Sequence, residues 1–101
     1  MNDTHTTTPG PEFWERVNTV INLANTQCDK ALPNEVGASA MFAAARFNAY
    51  ILARTTASAE NMAIEKERAL EYFVDQFRNM MASNLDDFAE NFDRYMHPEK
   101  Q

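Results

Sequence analysis

The segment ASAMFAAARFNAYILA, Ala38 to Ala53, constrains this chain more than any other. Over sixteen positions every helical face carries apolar or small residues, broken only by Ser39, Arg46 and Asn48. A helix that is apolar all round must be surrounded by other structure, because no side of it is suited to water. The segment therefore predicts a buried, Ala-rich spine helix with other helices packed about it.

The flanking sequence predicts those neighbours. Only two Gly and four Pro occur, too few turn formers for a chain of many short strands. Pro11 suits a first helical turn, where its missing N–H is not needed. Phe13, Val17, Val20, Ile21, Ala24 and Cys28 follow at the spacing of one helix face, so helix one is expected from Pro11 to about Ala31. Leu32-Pro33-Asn34 interrupts it. Asn34 is a suitable N-cap for the spine helix, with Glu35 in its first turn and Thr55-Thr56 near its end. Ser58 then caps a third helix whose apolar stripe is Ala63, Leu70, Phe73, Val74, Phe77, Met80 and Met81.

At Ser83-Asn84-Leu85-Asp86-Asp87 two readings compete. Asn84 followed by two Asp resembles a new helix start. Yet Leu70, Val74, Phe77, Met81, Leu85, Phe88, Phe92 and Tyr95 keep their three-four spacing straight through it. The break is preferred, giving a short fourth helix from Leu85 to Met96, with Arg94 and His97 at its negative end and Pro98 stopping it. The expected fold is all-α: a bundle of three long helices and a short C-terminal fourth, around a buried Ala-rich central helix. Residues 1–10 read as a flexible polar tail, 11–97 as one helical-bundle domain, and 98–101 as a C-terminal tail.

Several function classes are disfavoured. The chain has 15 acidic and 9 basic residues, a net charge of −6. It lacks the basic stripe that releases counterions from nucleic-acid phosphates, and its acidity disfavours anionic membranes. Arg46 and Asn48 interrupt the only candidate for a membrane span of about 18 uninterrupted apolar residues. The start, MNDTHTTTPGPE, has neither the basic nor the apolar region of a signal peptide. The single Cys28 cannot form an internal disulfide and reads as a small buried hydrophobe. These features point to a cytoplasmic protein.

Catalytic constellations are equally thin. The only histidines are His5 and His97, so there is no Glu-x-x-His pair for a di-iron site and no zinc spacing. The two isolated Gly make no phosphate loop, and no Ser or Cys has a histidine base on a rigid element. The expectation is a non-enzyme with no cofactor and no metal. The acidic group Asp86, Asp87, Glu90 and Asp93 lacks the Gly and loop of a calcium site and reads as a solvated face.

Three residues on the spine remain as candidates for a ligand or an interface: Arg46, Asn48 and Tyr50. Arg46 shares a face with Ser39, Phe42, Ala43, Ala49, Tyr50 and Ala53. In a core its guanidinium needs a partner: a carboxylate from helix three or four, an aqueous outlet along its stem, or an anion held inside the bundle. Asn48, on the opposite side, either fixes register or partner choice, or is satisfied by a neighbouring helix.

The strings FWERVNTVINLANTQ, AAARFNAYILA, ALEYFVDQF and NLDDFAENFDRYM resemble a family of short bacterial helical proteins catalogued only as a domain of unknown function. The resemblance covers Phe13 to Met96. It implies a bacterial, all-helical protein and carries no activity, cofactor or catalytic residue. A spine incompletely covered by three neighbours would expose an apolar strip, for which a two-fold homodimer is the commonest solution. The expected function is a protein-interaction module acting as a homodimer, with part of helix two or the last helix at the interface. The alternative is a small anionic-ligand binder using Arg46 inside the bundle.

Overall fold

The computed structural model describes residues 9–100, and the side chains of residues 9–99. The expected tail at residues 1–8, with His5, lies outside the described residues. The elements in chain order are α1 (Pro11–Gln27), α2 (Pro33–Thr56), α3 (Ala59–Glu90), α4 (Phe92–Met96) and a 3₁₀ turn at Pro98–Lys100. Among the described residues no strand occurs. The protein is all-helical, with three long helices and a short C-terminal one. It divides within α2 into two compact units, Met1–Ile51 and Leu52–Gln101.

In the first unit, α1 starts at Pro11, where the Phe13 N–H donates to the Gly10 carbonyl at 3.1 Å. It ends four residues sooner than its apolar spacing predicts. Beyond Gln27 the bonds tighten to three-residue steps, Asp29 N–H to Thr26 O at 3.1 Å and Lys30 N–H to Gln27 O at 3.0 Å. Cys28 closes the helix and is exposed, not buried. α2 begins at Pro33, so Asn34 lies inside the first turn and is not the cap. Glu35 supplies the capping contact instead: its Oε1 accepts the Leu32 backbone N–H at 3.2 Å.

In the second unit, the junction between α2 and α3 is the one place among the described residues where a non-Gly residue takes a left-handed conformation, Ala57 at φ 73°. That conformation turns the chain out of α2, and Ser58 caps α3 as its sequence predicts, its Oγ accepting the Asn61 N–H at 3.1 Å. α3 then runs 32 residues through Asn84 without a break. The reason is local. Asn84 Nδ2 donates to the Met80 carbonyl at 2.8 Å, so the side chain is tied to the turn behind it and cannot cap the turn ahead. The break falls at Asn91, and the fourth helix is Phe92–Met96, not Leu85–Met96.

The expectation of a buried central helix is overturned. Val36, 9% exposed, is the one buried residue of α2, and Met41, Phe42, Phe47, Tyr50 and Ile51 are all exposed. Its apolar circumference is a property of composition. Burial needs neighbours on every side, and most residues of α2 are exposed.

Candidate interaction surface

On α2 the three candidate residues do not converge. Arg46 is exposed on the Ala-rich face, one turn from Phe42 (68% exposed) and one turn from Tyr50 (56% exposed). It makes no ion pair among the described residues. The guanidinium needs none, because water solvates it. Asn48 is half-buried, and its Nδ2 donates to the carbonyl of Ala44, 2.8 Å away in its own helix. Its amide is satisfied one turn back rather than by a neighbouring helix.

α2 is also the one helix among the described residues long and apolar enough to cross a membrane by length and composition. It has 24 residues, and its most apolar 18-residue window has a mean hydropathy of 1.2. Arg46 and Asn48 interrupt its apolar run, as the sequence reading has it. They fall near mid-helix, where an Arg in hydrocarbon costs about 2.5–3.5 kcal/mol.

α3 carries the most continuous apolar surface. At about 100° per residue, Leu70, Phe73, Val74, Phe77, Met81, Leu85 and Phe88 fall on one side within about 60° of Leu70. Exposures there run from 38% at Phe73 to 61% at Leu85. Apart from Lys66, about 40° from Leu70, the charges lie off that stripe or along its edges. Arg68 and Glu65 approach to 3.8 Å, with the arginine 84% exposed, a contact worth little in water.

The stripe ends in a clasp. Asp87 accepts twice, from Asn91 Nδ2 at Oδ1 (2.8 Å) and from the Tyr95 hydroxyl at Oδ2 (2.9 Å). Tyr95 lies against Phe88 with ring centroids 4.7 Å apart, and the Arg94 guanidinium sits 5.1 Å from the Tyr95 ring. One carboxylate thus turns α4 back against the end of α3. Sequence reasoning put Asp87 on a solvated face and missed this role. The spacing Asp87, Asn91, Tyr95, each four apart, was the available signal.

The chemistry on offer is narrow. A shallow open depression is lined by Ala89, Glu90, Asn91, Phe92, Asp93 and Arg94. Among the described residues no three His, Cys, Asp or Glu side chains gather where they could hold a metal ion. His97 and Glu99 approach to 3.9 Å beyond α4, where His97 is 43% exposed.

A family model described as "Protein of unknown function (DUF3144)" matches residues 13–89, three quarters of the chain. The chain belongs to the DUF3144 family. The match takes in all but the first two residues of α1, the whole of α2, and α3 to its penultimate residue. It stops short of Asn91, so the clasped α4 lies outside the matched region. No curated protein and no solved structure matches the chain.

Proposed function

We propose that this DUF3144 protein is a non-enzymatic interaction module that acts as a homodimer. The observation that carries the reading is the mismatch between composition and burial: 45% of the residues are hydrophobic, and among the described residues Val36 is the one buried apolar residue. Contiguous exposed apolar surface on that scale calls for a partner. A second copy is the partner always present at matched concentration, and two-fold association covers the same face on both chains.

Three further features support this reading over others. The net charge of −6 disfavours nucleic acid and anionic lipid. Arg46 near the middle of α2 disfavours transfer of that helix into a bilayer. The exposed setting of Arg46, with Asn48 bonded to its own helix, gives no enclosure for a small anion. With a reducing compartment suggested by its lone cysteine, the protein is assigned to the bacterial cytoplasm.

Native mass spectrometry on freshly purified protein, without added ligand, tests the proposal. The expected result is a bare species of twice the 11.5 kDa chain mass at tens of micromolar. A clean monomer at that concentration overturns it. A reproducible small-molecule adduct lost in Arg46→Met, with folding intact, would replace it by a ligand-binding function.

A further inference from the structure

We infer that the homodimer forms through α3, paired antiparallel with α3 of a second copy about a two-fold axis level with Val74 and Asp75. The inference rests on the self-association proposed above and specifies the surface that carries it. It begins with length. α3 is 32 residues, about 48 Å at 1.5 Å per residue, and its apolar stripe is exposed along most of that length. Phe73, Phe77 and Phe88 are each 38–47% exposed, and a Phe carries roughly 150–250 Å². With Leu70, Val74, Met80, Met81 and Leu85, all 42–61% exposed, two copies supply on the order of the 1,200 Å² that a specific interface buries.

The charges bordering the stripe select direction and register. Glu67, Glu71 and Arg78 lie along one rim, about 60–100° around the helix from Leu70. A two-fold antiparallel pair sets each rim against the same rim of its mate. The register that overlaps all of α3 places Ala59 level with Glu90 of the second copy. In that register Glu71 is level with Arg78 of the second copy, and symmetry repeats the pair. Neither residue takes part in an ion pair among the described residues.

On the side of the stripe away from Glu71, Lys66 and Asn84 both lie about 40° from Leu70, and Lys66 comes within one position of Asn84 of the second copy. The Asn84 amide already donates to Met80, which leaves its Oδ1 to accept from the lysine ammonium. The stripe is also nearly symmetric about the axis: within one position of level, Ala63 meets Leu85, Leu70 meets Met80 and Phe73 meets Phe77 of the second copy. A parallel pairing, whose rim contacts run about five positions on, sets Glu71 against Lys66 of the second copy but leaves Arg78 against Phe73, with no carboxylate.

Two charge reversals test the seam. In Glu71→Arg alone, both symmetric contacts become Arg against Arg; in Arg78→Glu alone, both become Glu against Glu. Mixed together, the two variants restore both attractive pairs, but only across a heterodimer. The expected result, by native mass spectrometry of the mixture, is a heterodimer-to-homodimer ratio about fivefold above the statistical ratio. The double variant E71R/R78E should dimerise with itself as the wild type does. Statistical mixing, or a double variant as weakened as either single one, overturns the α3 seam while leaving a wild-type dimer in place. A monomeric wild type removes the self-association reading and the seam with it.

Discussion

Ala57 is the residue with the clearest local strain. Its φ of 73° lies in the left-handed region, where a Cβ meets the backbone and Gly is preferred. Ala57→Gly is expected to stabilise the protein by about 1 kcal/mol, read as a raised midpoint in urea with unchanged slope. Loss of stability in that variant would mean that the added freedom of the unfolded chain outweighs the relief. Asp87 is the converse case, a single side chain holding two partners at 2.8 and 2.9 Å. Its replacement by Ala is expected to cost on the order of 1 kcal/mol, since these bonds are largely exposed to water. The loss should be local. Amide exchange should quicken at His97, whose N–H donates to Asp93 at 2.8 Å, with little change in mid-α3.

At the scale of elements, α3 is one uninterrupted helix, and Asn84 distinguishes it from the broken alternative. As an N-cap, Asn84 would stabilise the chain, and its loss to Ala would cost about 1 kcal/mol. In mid-helix, bonded to Met80, Asn is a poorer helix former than Ala. Asn84→Ala is therefore expected to leave helicity by circular dichroism unchanged and stability equal or slightly raised. If the proposed dimer uses Asn84 to receive Lys66, the same variant should weaken the dimer while the monomer gains. Capping letters and apolar spacing disagreed at this point. The hydrogen bond decided between them, since a side chain committed to the preceding turn is unavailable to the next.

For the whole molecule, stability is expected to depend on concentration. With one buried apolar residue among the described residues, the chain gains its burial on association, and a dimer that melts with dissociation shifts its midpoint with protein concentration. Thermal midpoints measured over a hundredfold dilution should fall as the protein is diluted. A constant midpoint would show that folding and burial are complete within one chain.

The all-helical class, the three long helices, the Ser58 cap and the α3 stripe were legible in residue order alone. Each depends on contacts within about four positions: Pro at a first turn, a hydroxyl bonding an N–H three residues on, apolar side chains at helical spacing. The exposure of α2 and the solvation of Arg46 were decided only by the tertiary structure, while the continuity of α3 through Asn84 and the clasp at Asp87 turn on bonds four to eight residues apart that residue order offered without selecting. An apolar circumference states what a helix would bury if surrounded, and says nothing of whether its own chain surrounds it. An Asn before two Asp offers a cap that the previous turn can claim first. Sequence determines what each segment can form; which surfaces are covered depends on neighbours distant in the chain or on another chain.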